Sequence, residues 1–153
     1  MSSHDFALLV AAHGITDEAR QAAVAQGYRV LEQFLSAFNA RDPELWATTL
    51  NYPHVRLTAG QVQVWQTAAD YAASNDLQEF AATGWAYTRW DWIKPVQAHA
   101  DKVHLALQFT RYDAEHRAIK SFEALYVVTL QQGHWGIQAR SSYAGIALPG
   151  AAF

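Results

Sequence analysis

Residues 34–65, FLSAFNARDPELWATTLNYPHVRLTAGQVQVW, carry several structural instructions in close order. An apolar helical stripe ends at Phe38, and Asn39-Ala40-Arg41 breaks it. Asp42-Pro43-Glu44 restarts the chain as a helix, with Asp42 as cap and Pro43 as first helical residue, where a fixed φ fits and a missing N–H is no loss. This second helix is expected to carry Leu45, Trp46 and Leu50 inward. It ends before Pro53, whose ring keeps Tyr52 out of the helical region. His54–Leu57 and Gln61–Val64 alternate around Thr58-Ala59-Gly60, the pattern of a small hairpin.

Upstream, Val24, Tyr28, Leu31, Leu35 and Phe38 recur at helical spacing, and Val30 and Phe34 widen the stripe into a face that must be buried. Thr16 is the predicted cap of this helix, Asp17 and Glu18 sit in its first turn at the positive end of the dipole, and it runs to about Ala40. Downstream, a third helix is expected near 67–80. From Gly84 the pattern is β: about 84–98, 103–112, 119–131 and 134–143. A two-residue turn at Gln132-Gly133 sets Leu130 opposite Trp135, Val128 opposite Ile137, Tyr126 opposite Ala139 and Ala124 opposite Ser141. The loop over 113–118 places Tyr112 near Ile119, Phe109 opposite Phe122, Leu107 opposite Ala124 and Leu105 opposite Tyr126. One sheet face is then almost wholly apolar. The other carries His104, Gln108, Thr110, Glu123, Thr129, His134, Gln138 and Arg140 among Ala106, Leu125 and Val127, which suits a solvent-exposed or dimer surface.

This order of elements, from the apolar helix end through Asn39-Ala40-Arg41-Asp42 to the Pro53-led strand, resembles the opening of the nuclear transport factor 2-like superfamily, which includes ketosteroid isomerase-like and SnoaL-like proteins. The resemblance extends over roughly residues 16–143. It implies an α+β fold, a cone-shaped barrel in which a strongly curved, mostly antiparallel sheet wraps three N-terminal helices (cystatin-like). It implies one domain over 1–153, with an extension at 1–15 and a tail at 144–153. It also implies a homodimer through the mixed sheet face. The scaffold hosts isomerases, dehydratases, hydrolases and non-catalytic binders, so it leaves the reaction open. Aligned with ketosteroid isomerase-like relatives, Tyr126 falls where that family keeps an oxyanion-stabilising acid and Phe34 where it keeps a donor tyrosine. Leu57 or Arg56 replaces its carboxylate base, so the isomerase set is absent.

Composition bounds the partners. Among 153 residues, 14 acidic side chains face 11 scattered basic ones, with no cluster suited to a run of phosphates, which argues against nucleic acid. There is no cysteine, so neither disulfides nor thiolate catalysis is available. The apolar run Phe6–Ala12 is too short for a bilayer and reads as a short helix on a cytoplasmic protein without a membrane partner. The seven histidines show no HxH or HxxxH spacing, so no metal site is expected, and without a phosphate loop or a G-x-S-x-G elbow neither nucleotide binding nor α/β-hydrolase chemistry has support and no cofactor is expected. Six Trp, seven Tyr and seven Phe exceed what a small core needs, so some rings are expected to line a cavity or an interface.

The candidate site is that cavity. Tyr126, the one polar group on the apolar face, offers a hydrogen bond to a ligand carbonyl or carboxylate, or is a core tyrosine satisfied by backbone. His54 and Arg56 share one strand face and would supply a neutral base and a carboxylate fork, unless Val55 and Leu57 on the opposite face turn inward instead. Phe34, Phe109, Trp85, Trp135 and Ser141 complete the expected lining. Asp91, beside Arg111 and Tyr112, reads as part of a surface ion pair or cation–π contact rather than an active-site acid. The leading expectation is a small-molecule binding domain for a compact, partly aromatic or alicyclic carbonyl or carboxylate compound. The alternatives are a cofactor-free SnoaL-like lyase, isomerase or hydrolase with His54 as base and Tyr126 as hydrogen-bond donor, and a homodimeric interaction module without a ligand.

Overall fold

Asp17 starts the first helix, its carboxylate accepting from the Arg20 backbone N–H at 2.9 Å. The computed structural model describes residues 17–144. Thr16, the run at 6–12 and residues 145–153 lie outside the described residues. Helix α1 (Glu18–Asn39) buries Val30, Leu31, Phe34 and Phe38 along the expected stripe. Asp42 then caps α2 (Pro43–Ala47) by accepting from the Leu45 N–H at 3.0 Å. Trp46 is fully buried, whereas Leu45, expected inward, is 53% exposed. A helix of barely more than one turn presents one narrow face, and the Trp46 ring takes it.

The expected third helix is two: α3 (Ala68–Ser74) and α4 (Leu77–Ala81). Asn75 leaves the helical region at φ −129° and folds its amide onto the Tyr71 carbonyl at 2.7 Å. Asp76 begins the next turn by accepting from the N–H groups of Gln78 and Glu79, both at 3.0 Å. Two side chains that compete for backbone partners thus break the periodic run.

Six strands follow the order β2-β1-β6-β5-β4-β3. They are β1 (Leu50–Thr58), β2 (Gln61–Trp65), β3 (Tyr87–His99), β4 (Lys102–Tyr112), β5 (Ala118–Gln131) and β6 (His134–Ser142). Among the described residues only the β1–β6 pair is parallel. The curved sheet wraps α1, whose apolar stripe packs on β3, β4 and β6. The β4–β5 register is the expected one at Phe109–Phe122, Leu107–Ala124 and Leu105–Tyr126, while a bulge pairs Tyr112 with Ala118 rather than near Ile119. The β5–β6 register holds at Leu130–Trp135 and Val128–Ile137 and then slips by one residue. Beyond that bulge Tyr126 pairs with Arg140 and Leu125 with Ser141. Since successive strand residues point to opposite faces, the slip turns Arg140 into the cone and Ser141 out of it, the reverse of the expectation. Arg140 is buried and Ser141 exposed.

At the start of β1 the backbone of β6 comes very close. A Cβ on Gly136 would sit 2.7 Å from the Leu50 carbonyl carbon and 2.9 Å from the Asn51 nitrogen, neither of which can rotate away. Asn51 locks the crossing, its Nδ2 donating to the Thr129 carbonyl at 2.8 Å and its Oδ1 accepting from His134 Nδ1 at 2.7 Å. Gly136→Ala should therefore lower the denaturant midpoint by the equivalent of about 1–3 kcal/mol at unchanged m-value. A midpoint within error of wild type would show that the crossing is not tight.

Candidate functional site

On β1, His54 and Arg56 are fully buried, while Leu57 is 47% exposed, so the polar pair turns inward and the aliphatic pair outward. The parallel β1–β6 register sets Arg56 beside Arg140, and the bulged β5–β6 register sets Arg140 beside Tyr126. One row across the inner face therefore reads Arg56, Arg140, Tyr126, Leu105. Arg111, three pairs along β4, is also buried. Its expected partner Asp91 lies outside, raised onto the outer face by a bulge after Trp90, where it accepts from Gln108 Nε2 at 2.9 Å and Thr110 Oγ1 at 2.6 Å. Those neutral donors replace the expected ion pair.

Arg140 is held from several sides. Its Nε donates to His54 Nε2 at 3.0 Å and its Nη2 to the Tyr71 hydroxyl at 3.1 Å. Its guanidinium carbon lies 5.5 Å from the Phe34 ring centre and 5.9 Å from those of Tyr71 and Tyr126. Such contacts offset part of the cost of burying a cation, because the ring faces carry negative charge. Arg111 lies in a similar cage, 4.7 Å from Phe122, 5.1 Å from Phe80 and 5.8 Å from Phe109. Arg56 Nη1 donates to Gln63 Oε1 at 3.3 Å.

The electrostatics follow from burial. His54 uses both ring nitrogens: Nδ1 donates to the Ile137 carbonyl at 2.9 Å, so Nε2 carries the lone pair that Arg140 takes. Burial first, then the Arg140 charge, pushes its pKa down to about 2, so the ring is neutral at physiological pH. Burial pushes the Tyr71 hydroxyl up to about 12 and keeps it protonated. Arg56 is pushed down to about 9 by burial and then by Arg140, with Arg111 acting in the same direction. Arg111 is pushed down to about 10 by burial. Both remain charged at neutral pH, so the cone gathers like charges that repel one another.

Beside this row the rings of Phe34, Phe38, Trp90 and Phe109 line a half-open cavity of about 20 Å³, with Thr88, Arg111 and Tyr126 in its wall. That is room for about one water. Phe34, Phe109 and Tyr126 thus stand at this cavity, and His54 and Arg56 in the adjoining buried row. Trp85 packs on Phe38 at 4.5 Å and donates to Thr88 Oγ1 at 2.8 Å, one layer behind the wall. Trp135 is half-buried at the β5–β6 turn, opposite Leu130. Among the described residues no three His, Asp or Glu side chains gather as metal ligands, and no helix is long and apolar enough to cross a membrane.

Solved structures share this architecture. A cystatin-like nuclear transport factor 2-like protein from Novosphingobium aromaticivorans superposes with a TM-score of 0.66 at 10% identity, covering 90% of this chain and 96% of its own. A nuclear transport factor 2-like protein of unknown function from Pseudomonas putida gives 0.64 at 14% identity, over 84% and 90%. The chain has the nuclear transport factor 2-like fold. A candidate aromatic ring hydroxylase from Novosphingobium aromaticivorans carries the same fold, with a TM-score of 0.62 at 8% identity over 82% and 90% of the two chains. No protein-family model and no curated protein matches the sequence.

Within this nuclear transport factor 2-like cone, sequence reasoning had set Arg140 on the outer face and Arg111 beside Asp91 at the surface, and had passed over Tyr71 and Trp90 as site residues. Arg111 was detectable, since it alternates in step with Leu105, Leu107 and Phe109. Arg140 was not, because the bulge that turns it leaves no mark at Gln138. The neutral His54 supplies stability that is complete above the unfolded-state value of 6.5 and is lost as pH falls from there toward about 2, because the unfolded ring takes up a proton that the folded one refuses. His54→Gln, which keeps an acceptor and does not titrate, should flatten the fall in unfolding free energy between about pH 6.5 and 4. Equal slopes for the two proteins would contradict the buried neutral ring.

Proposed function

We propose that the protein is a small-molecule binder whose ligand is a compact aromatic or alicyclic carboxylate held inside the cone. The observation that carries this reading is the burial of Arg56, Arg111 and Arg140 on the inner sheet face, with Arg111 in the wall of an aromatic-lined cavity and the other two in the row that adjoins it at Tyr126. Like charges brought together out of water favour an anion among them, and a planar guanidinium matches a carboxylate in two-point geometry. The rings supply the complementary apolar surface. Because the cavity holds about one water, the ligand is admitted by a shift of Phe34 and Trp90, whose rings stack with centres 6.4 Å apart.

His54 serves in this reading as the residue that positions Arg140. A lyase, isomerase or hydrolase with His54 as base and Tyr126 as donor needs a free lone pair and a pKa near the working pH. In His54 the lone pair is engaged by Arg140 and the pKa is far below that range. Benzoate and cyclohexanecarboxylate should raise the melting temperature, the stabilisation reaching about 2.7 kcal/mol at a hundredfold excess over Kd. Benzamide, isosteric and neutral, should not. Arg140→Met and Arg56→Met should weaken benzoate binding by about tenfold or more. Equal stabilisation by benzamide, or none by either acid, would defeat the proposal.

A second reading concerns the outer sheet face and is compatible with the first. Its rows run Ala106, Leu125, Ser141, Leu57, Val62 and His104, Val127, Ala139, Val55, Val64 across neighbouring strands. Leu57 is 47% and Val62 68% exposed, so the face presents contiguous aliphatic surface of the kind that self-associates. We take it as the contact of a homodimer. Sedimentation at micromolar concentration should give twice the 17.1 kDa chain mass, and Leu57→Glu should give a monomer. A monomeric wild type ends this reading.

A further inference from the structure

Trp90 sits at the wall of the interior cavity, its ring edge-on to Phe109 at 6.2 Å and to Tyr126 at 6.0 Å. Its indole nitrogen is buried and has no hydrogen-bond partner among the described residues. The polar groups nearest in the wall are already engaged. Thr88 accepts from Trp85 Nε1 at 2.8 Å, its N–H donates to Asn39 Oδ1 at 2.8 Å, and its carbonyl accepts from Asn39 Nδ2 at 2.9 Å. A guanidinium such as Arg111 has only donors to offer. The residues of the wall therefore carry mainly donor groups beyond those already engaged: the Trp90 N–H, the Arg111 guanidinium and the Tyr126 hydroxyl, which can donate as well as accept.

Buried donors in proteins are matched by acceptors, and a site built around one rejects analogues that lack it. We infer that the ligand is ditopic: besides the carboxylate that the arginines take, it carries a second oxygen acceptor on its ring, which receives the Trp90 N–H. This rests on the reading of the cone as a carboxylate site and narrows it to oxo- or hydroxy-substituted ring acids. Phe34 and Tyr126 each neighbour both Trp90 and Arg140, so a ring admitted by the shift of Phe34 and Trp90 would lie between the two ends. Trp90 is then a specificity-determining residue, and the carboxylate end supplies the common affinity.

The test is calorimetric titration with cyclohexanecarboxylate and its 3-oxo and 4-oxo derivatives, on wild type and on Trp90→Phe, which keeps an aromatic ring and removes the donor. Wild type should bind one oxo acid about tenfold more tightly than the parent. Trp90→Phe should bind the three acids with equal affinity, the preference for the oxo acid lost whatever the change in overall affinity. A parallel measurement needs no variant: one of the six indole N–H signals in the proton–nitrogen spectrum should move downfield with the favoured oxo acid and not with the parent. Binding of all three acids without preference, or a preference that survives Trp90→Phe, overturns the ditopic ligand and leaves the carboxylate site standing. Failure of all three acids to bind wild type overturns the carboxylate reading itself.

Discussion

The interior depends on the burial of Arg140. A guanidinium taken out of water costs several kcal/mol unless its donors and its charge are met, and here His54, Tyr71 and the faces of Phe34 and Tyr126 meet part of that need. The requirement propagates. His54 must be neutral to accept from Arg140 Nε, so its Nδ1–H must find the Ile137 carbonyl, and that carbonyl belongs to the residue just before the slip that turned Arg140 inward. Bulge, tautomer and cation form one self-consistent set. Removing any member leaves a buried polar group without its partner, which costs more than the net worth of the bond.

The two faces of the sheet divide the work. Inside, cations and rings concentrate where water is excluded, and the repulsion between Arg56 and Arg140 stores free energy that an anion would release. Outside, aliphatic residues such as Leu57 and Leu125 share the face with polar ones such as Ser141 and His104. A one-residue change in register on β6 would exchange Arg140 with Ser141 between these environments, emptying the interior of its central charge.

Much of the fold was legible because it follows from local rules. Asp42-Pro43 starts a helix by capping chemistry, the stripe through Val30, Leu31, Phe34 and Phe38 buries itself by period, and the β4–β5 register follows from matching two apolar faces across a loop. Asn75 and Asp76 could have been read as a break, since both residues favour caps over helix interiors. The inward turn of His54 and Arg56 could not, because Val55 and Leu57 offered an equally regular alternation with better hydrophobicity. What settled it was β6: with Arg140 and Tyr71 already inside, the polar face of β1 finds hydrogen-bond partners there that the aliphatic face cannot use.

By itself the sequence determined the element order, the caps, the apolar faces of α1 and β4, and the chemical classes absent from the chain, because each is set within a few residues by period, backbone freedom or composition. The tertiary structure alone decided which polar groups share the interior. Arg56, Arg111, Arg140, Tyr71 and Trp90 come from separate strands and a helix, and no spacing along the chain records their meeting. Their convergence depends on a parallel β1–β6 pairing and a single bulge, and strand pairing across long loops is an energetic outcome of the whole fold.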